Sequence, residues 1–287
     1  MIARILSGAE PARALRERLR PLLADLKPHL AIVQVGALAE SEKYVNAKLA
    51  AAEDLGLSAE RRRLPEHASA ADLLAVIGEL NAAAHVTGYI VQLPLPPSLA
   101  AMQSALFAAM APAKDVDGLT AANMGALAIG IAEERLPPAT AAGVVRLLRH
   151  YDIDVAGTRI VILGRSMLVG KPLGLMLLNR DATVTFCHSR TPHLAEHTRA
   201  ADIVICATGQ PGLLRADMIR PGATVVDIGI RSTPDGLKGD VDEDVATVAG
   251  ALTPVPGGVG PMTVACLLAN CVTAAALQRG GLPPSLE

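Results

Sequence analysis

Short runs of continuously apolar residues alternate along the chain with segments patterned as helices. The runs at 30–35, 88–91, 159–163, 182–186, 203–207 and 224–228 suit short buried strands, and the intervening segments, including 42–55 and 171–180, suit helices. This alternation predicts an α/β fold built from βα units around a largely parallel sheet. Gly56 stands where the helix at 42–55 ends, a position that favours a left-handed cap.

At 287 residues the chain suits two modest domains better than one, since single cores usually run to ~100–200 residues. Two domains imply a cleft between them. Leu136-Pro137-Pro138 and the small residues after it mark a junction, giving a first domain at 1–138 and a second, Rossmann-like domain with a parallel sheet at 139–261. The Pro/Gly-rich crossing at 253–261 can return the chain to the first domain, which a helix at about 262–287 would complete. Thr263, Asn270 and Thr273 interrupt the apolar segment 262–277, which falls short of the ~20 apolar residues needed to span a bilayer and is expected to be a buried helix. Arg4, Glu10 and Arg13 break the apolar stretch that a signal peptide would need, so a cytoplasmic protein is expected.

The formal net charge of −2, with scattered Lys and Arg, offers no broad positive field for nucleic acid, and the 2% aromatic content leaves few rings for stacking bases. The expected partner is a small molecule, with neither nucleic acid nor membrane involved. The four cysteines form no CxxC pair and lack zinc-ligand spacing, so free thiols in a reducing compartment and no metal are expected.

The segment 159–170, RIVILGRSMLVG, reads as a strand, a glycine turn and a helix start, an arrangement that aims backbone N–H groups at phosphate. Gly164 and Gly170 bracket the turn and Ser166 lies within it, although the spacing is not GxGxxG; a plain strand-to-helix turn would look the same. The next strand ends in His188-Ser189-Arg190-Thr191, where an NAD enzyme would offer an acid to the ribose 2′-hydroxyl. Arg165, Ser189 and Arg190 are candidate donors to a 2′-phosphate instead, which favours NADP over NAD; otherwise they are solvated surface residues. Thr208-Gly209 and Asp227-Ile-Gly-Ile230 place small or polar groups at two further strand ends, where a nicotinamide ribose can approach or where Gly209 and Gly229 simply serve a turn.

On the helix at 42–55, Tyr44 and Lys48 share a face and Ser41 lies one turn earlier. Such a lysine is either solvated or, if burial lowers its pKa, a proton donor and acceptor held by Tyr44. Short-chain dehydrogenases carry the same YxxxK spacing, but there the cofactor turn comes first, whereas here Lys48 precedes Gly164. Gln92 leaves the strand at 88–91 into a proline-stiffened turn and can project into a cleft. Asp115 and Asp117 make a poor cation site by themselves; they bind the N–H edge of a ligand or cap a helix.

YVNAK (44–48), VQLPLP (91–96), KDVDG (114–118), GRSMLVGKP (164–172), ATVTFCHSRT (182–191) and TPVPGGVGPMT (253–263) occur in an order that strongly resembles the FolD-type methylenetetrahydrofolate dehydrogenase/cyclohydrolases. The resemblance implies NADP-dependent oxidation of 5,10-methylenetetrahydrofolate, then hydrolysis of the methenyl product to 10-formyltetrahydrofolate, in one cleft of a homodimeric enzyme. It implies Lys48 as the main catalytic residue, with Gln92 and Tyr44 assisting and Asp117 on the pterin edge. Ser41, Tyr44, Gly260, Pro261 and Thr263 are implied as folate-binding, and Gly164, Arg165, Ser166, Ser189, Arg190, Thr208, Gly209 and Ile230 as cofactor-binding.

Two stretches depart from that family's pattern. Ala37-Leu-Ala-Glu-Ser41 replaces an Asp-Pro-Ala-Ser-like stretch, and Pro138-Ala-Thr-Ala141 replaces Pro-Cys-Thr-Pro, although Ser41 and Thr140 remain. The alternatives are an enzyme with one activity or with NAD, and a dinucleotide-binding sensor whose catalysis has decayed.

Overall fold

A computed structural model describes residues 3–131, 135–234 and 236–286. The chain divides into two compact units: Ala14–Ala139 with Val264–Glu287, and Met1–Arg13 with Thr140–Thr263.

The first unit is built on a three-stranded parallel sheet with His29–Val35 between Ser58–Leu64 and Gly88–Val91. Leu30, Ala31, Ile32 and Val33 of the middle strand are fully buried. A continuous apolar run is what a parallel strand covered on both faces requires. The strand Ser58–Leu64 is missed by hydrophobic pattern because its sequence is SAERRRL. Among the described residues it is an edge strand that pairs only with His29–Val35, so its charged side chains reach solvent and protect the open edge. Helix Ala39–Leu55 joins these two strands and ends at Gly56 with φ 84°; the Gly56 and Leu57 N–H groups return to Ala52 O.

The second unit holds a six-stranded sheet in the order Arg4–Ile5, Ala251–Leu252, Thr224–Asp227, Ile203–Cys206, Arg159–Leu163, Thr183–Cys187, with every neighbouring pair parallel. From Arg159–Leu163 the chain crosses to Thr183–Cys187 on one side and then to Ile203–Cys206 on the other. That reversal is the switch point at which doubly wound sheets bind ligands, outside the carboxyl ends of the strands. Val161, Leu163, Val204, Cys206 and Val225 form part of the core.

Residues 1–13 were expected with the first domain but belong to the six-stranded unit. Arg4 and Ile5 pair with Ala251 and Leu252, and Tyr151 donates its hydroxyl to Ser7 O at 2.9 Å. A strand of two residues is too short to show a period in sequence. The last helix runs Val259–Gln278. Its 20 residues are long and apolar enough to cross a membrane, so the expectation that the segment falls short is corrected, but most of it is buried within the protein as a core helix. All four cysteines are buried and none is joined in a disulfide.

Candidate active site and dinucleotide site

Lys48 and Gln92 arrive from separate elements of the first unit. Lys48 sits on helix Ala39–Leu55, and Gln92 follows strand Gly88–Val91, where its backbone N–H still bonds Val33 O at 2.8 Å. Lys48 Nζ donates to Gln92 Oε1 at 2.7 Å, while Gln92 Nε2 donates to Leu93 O at 2.6 Å. Gln92 is thereby held at both ends of its amide. Burial lowers the Lys48 ammonium from its ordinary value, against the opposing pull of the Asp117 carboxylate. Burial pushes the Asp117 carboxyl up to about 6, with Lys48 drawing it down and Asp115 pushing it further up. Burial, then Glu40, raises the Tyr44 phenol. No hydrogen bond joins Tyr44 to Lys48 among the described residues, so Gln92 rather than Tyr44 fixes the amine. Ser41 is buried in the first turn of the same helix.

The two acids of KDVDG divide between the roles left open by sequence. Asp115 is fully buried and accepts N–H groups from Gly118 at 3.0 Å and Thr120 at 2.7 Å, and the Asn123 amide at 3.0 Å. It shapes the loop and the start of helix Ala121–Ala128. Asp117 is half-buried, and among the described residues its carboxylate takes no hydrogen bond, which leaves both oxygens for a ligand. Gly118 permits this loop: its φ is +72°, and a Cβ there would lie 2.5 Å from Leu136 O and 2.6 Å from Pro138 N.

Two positioning groups were not legible in sequence. Asn270, read there only as a break in an apolar run, donates to Val116 O at 2.8 Å and Pro137 O at 2.7 Å, tying the Asp117 loop to the Leu136–Pro138 stretch. Glu42 accepts from Gln34 Nε2 at 3.1 Å and Arg61 Nη1 at 2.9 Å, and also from Arg63. This network anchors the helix carrying Lys48 to the sheet. Its only sequence signal is an arginine-rich stretch that carries no apolar period.

In the second unit, Gly164 turns the chain at φ +120°, where a Cβ would lie 2.5 Å from Ala207 O, and a Cβ on Gly170 would lie 2.4 Å from Gly164 O. The two glycines let the turn pass close to the neighbouring strand end. The Ser166 hydroxyl accepts from Val169 N at 3.1 Å and Gly170 N at 3.4 Å, shaping the entry to helix Gly170–Leu178 while its own proton stays free to donate. Arg165, Ser189 and Arg190 are exposed, and no side-chain ion pair holds either arginine among the described residues. No acid stands at the end of strand Thr183–Cys187, where His188 and Thr191 close a turn through N–H contacts of 3.0 and 2.8 Å. Two unpaired guanidinium groups beside a glycine turn fit a dinucleotide with an additional phosphate on its ribose.

Thr208 and Gly209 are committed to the protein. Asp240 Oδ2 accepts Thr208 N at 2.6 Å, Thr208 Oγ1 at 2.9 Å and Gly209 N at 3.1 Å. Asp227 in turn accepts the N–H groups of Gly229, Asp240 and Val241, each at 3.0 Å. Burial pushes the Asp227 carboxyl up to about 6, with Asp240 adding to the rise and the N–H donors opposing it. Asp240, absent from the sequence-based expectations, and Asp227, named there only as part of a strand end, hold the strand-end loops from which Gly209 and the half-buried Ile230 project. Gly260, Pro261 and Thr263 fall in the first turns of helix Val259–Gln278 and belong to this unit, not to the one holding Lys48, Gln92 and Asp117.

Family models match most of the chain: the catalytic domain of tetrahydrofolate dehydrogenase/cyclohydrolase over residues 6–117, and its NAD(P)-binding domain over residues 138–279. Bifunctional protein FolD of Acidiphilium cryptum is 48% identical over 283 residues, 97% of this chain and 100% of that protein. A bifunctional protein FolD of Thermus thermophilus is 46% identical, covering 98% and 99% of the two chains. The crystal structure of the bifunctional FolD methylenetetrahydrofolate dehydrogenase/cyclohydrolase from Campylobacter jejuni superposes with a TM-score of 0.92 at 40% identity, over 96% of this chain and 99% of that one. Trypanosoma brucei FolD, complexed with NADP cofactor and an inhibitor, gives 0.90 at 37% identity, over 98% and 99%.

Proposed function

The chain belongs to the tetrahydrofolate dehydrogenase/cyclohydrolase family, and on that footing we propose that Lys48, Gln92 and Asp117 carry its chemistry. It oxidises 5,10-methylenetetrahydrofolate with NADP and hydrolyses the resulting 5,10-methenyl cation to 10-formyltetrahydrofolate. The observation that carries the residue assignment is the 2.7 Å bond from the depressed Lys48 amine to Gln92.

Asp117 holds the pterin, because a carboxylate with both oxygens free can accept a ring N–H and an exocyclic amino N–H together. Ser41, Tyr44, Gly260, Pro261 and Thr263 line the rest of the folate path in this reading. Arg165, Ser189 and Arg190 hold the 2′-phosphate, Gly164 and Ser166 sit against the pyrophosphate, and Thr208, Gly209 and Ile230 lie against the nicotinamide ribose. When bound, NADP accepts the hydride from the one-carbon bridge. In hydrolysis, water adds to the methenyl carbon, one carbon–nitrogen bond breaks, and the departing nitrogen takes a proton. Lys48 manages these protons by passing between its charged and neutral forms, and the cationic substrate favours the neutral one. Gln92 keeps the amine at its post in both forms.

A coupled spectrophotometric assay tests both activities, following NADPH formation and then loss of methenyltetrahydrofolate. We expect kcat/KM with NADP to exceed that with NAD by at least about tenfold. Arg190→Ala should raise the KM for NADP by roughly 10–100-fold, the worth of one charge-assisted bond, and leave that for NAD nearly unchanged. Equal loss with both cofactors would remove Arg190 from the 2′-phosphate site.

The Asp117 carboxyl, at about 6, gives a second expectation. Below that pH it is protonated and loses an acceptor, so kcat/KM for folate should fall about tenfold per unit of acidification. Asp117→Asn should lower kcat/KM at neutral pH and erase this acid limb; a limb that survives would belong to another group. For stability the sign is opposite. The folded state keeps a proton that the unfolded chain releases near its ordinary value, so this contribution is present at low pH and lost as pH rises through about 6. We place the reaction in the cytoplasm, carried out by a homodimer with no nucleic acid or membrane partner; sedimentation of the purified chain checks the assembly.

A further inference from the structure

Three potential metal ligands gather at the amino-terminal end of the three-stranded sheet, toward the opposite end of strand His29–Val35 from Gln92. They are His29, Glu60 and His85, whose donor atoms all lie within 4.8 Å of one another. His29 opens strand His29–Val35 and pairs with Ser58, while Glu60 stands two residues along the neighbouring strand, so His29 and Glu60 project from one face of the sheet. His85 comes from the loop leading into Gly88–Val91. Thr87 fixes that loop to His29, since its N–H and hydroxyl both donate to His29 O at 3.1 Å, and its Oγ1 accepts His29 N at 2.8 Å.

The state of His29 is what points to a ligand. Its Nδ1 lies 2.8 Å from Ser58 Oγ, while its Nε2 is buried and has no hydrogen-bond partner. Glu60 Oε1 stands 3.8 Å from that Nε2, too far for a hydrogen bond. The two imidazoles meet edge to face with centroids 5.4 Å apart, a packing that does nothing for the orphaned nitrogen. If Nδ1–H donates to Ser58, Nε2 carries a lone pair, the second-partner arrangement that orients metal-binding histidines.

We propose that His29 Nε2, a ring nitrogen of His85 and a carboxylate oxygen of Glu60 bind one divalent transition-metal ion, for which Zn²⁺ fits the donor set best. Two imidazoles and one carboxylate are a recognised three-ligand set for zinc, with water in the fourth position. Tetrahedral bonds of about 2.0–2.1 Å put ligand atoms about 3.3 Å apart. The donor atoms, within 4.8 Å of one another, stand wider than that, so binding requires rotation of the exposed His85 and the partly exposed Glu60 side chains. Arg62 Nε already holds Glu60 Oε1 at 2.9 Å, which leaves Oε2 for the metal and weakens the site. Val91 pairs with Val33 near the far end of strand His29–Val35, which puts Gln92 about five residues, roughly 16 Å, along the sheet from His29, so the ion acts as a clasp on the sheet and takes no part in folate chemistry.

Calorimetric titration of the chelator-treated full chain with Zn²⁺ tests this. We expect one ion per chain, a melting temperature that rises with Zn²⁺, and a tetrahedral visible spectrum when Co²⁺ is used. His85→Ala and Glu60→Gln, both at solvent-reaching positions, should each weaken binding at least about tenfold and abolish the thermal shift, with both enzyme activities retained. Circular dichroism reports whether the variants fold. The proposal is overturned if Zn²⁺ does not bind at micromolar concentration, if both variants bind as the parent does, or if binding is lost instead in His197→Ala, whose exposed imidazole lies one turn from His193.

Discussion

Lys48→Met lowers hydrolysis of methenyltetrahydrofolate by roughly 10³-fold, to near the uncatalysed rate, while NADP binding stays within about twofold of the parent. The magnitude is that of a positioned general acid–base group, and methionine keeps the length of the side chain while removing its only titratable atom. Burial already depresses the amine and Gln92 Oε1 orients it, so no other described side chain on this helix can replace it. Gln92→Ala should act through the same atom, lowering kcat more than it raises KM and moving the alkaline limb of the pH profile. Normal turnover by Lys48→Met would sink the assignment. Loss of NADP affinity alongside activity would mean only that the substitution damaged the fold.

Gly118→Ala gives the second large effect, this time through stability. A side chain at φ +72° costs roughly 1–2 kcal/mol by itself. Here a Cβ would also press on the backbone at Leu136, Pro137 and Pro138, adding about 1–3 kcal/mol of overpacking that no rotamer can relieve. The sum, about 2–5 kcal/mol, should lower the melting temperature by about 10 °C for a chain of this size. The folate KM should also rise, because Asp117 is the adjacent residue. Gly157 is the control: its φ is +69°, but nothing lies within 4 Å of the position its Cβ would take. Gly157→Ala should therefore show the conformational cost alone; equal shifts in the two variants would mean that the contact with 136–138 is unimportant.

The central strands and the helix that carries Lys48 were readable in the chain because each carries its own period or its own stop signal. Buried parallel strands such as Arg159–Leu163 are apolar throughout, and Gly56 closes its helix in the left-handed conformation. Other elements carried no local signal. Ser58–Leu64 becomes a strand through its partner His29–Val35, which offers unpaired N–H and C=O groups along a whole edge. Arg4–Ile5 joins the six-stranded sheet for the same reason. In both cases the stabilising bonds come from residues distant in sequence.

The sites divide in the same way. Sequence alone determined which residue types were present for the chemistry: an amine and a phenol on one helical face, an amide at a strand exit, two acids in one loop, and arginines with no acid beside a glycine turn. Only the tertiary structure decided how they are used. It gave Lys48 to Gln92 and not to Tyr44, made Asp115 a loop cap while leaving Asp117 free, committed Thr208 to Asp240, and gathered His29, Glu60 and His85 from three segments. The physical reason is that composition and periodicity report which face of an element is buried, whereas a hydrogen bond or a pKa shift depends on distances of a few ångströms, and the folded chain alone sets those.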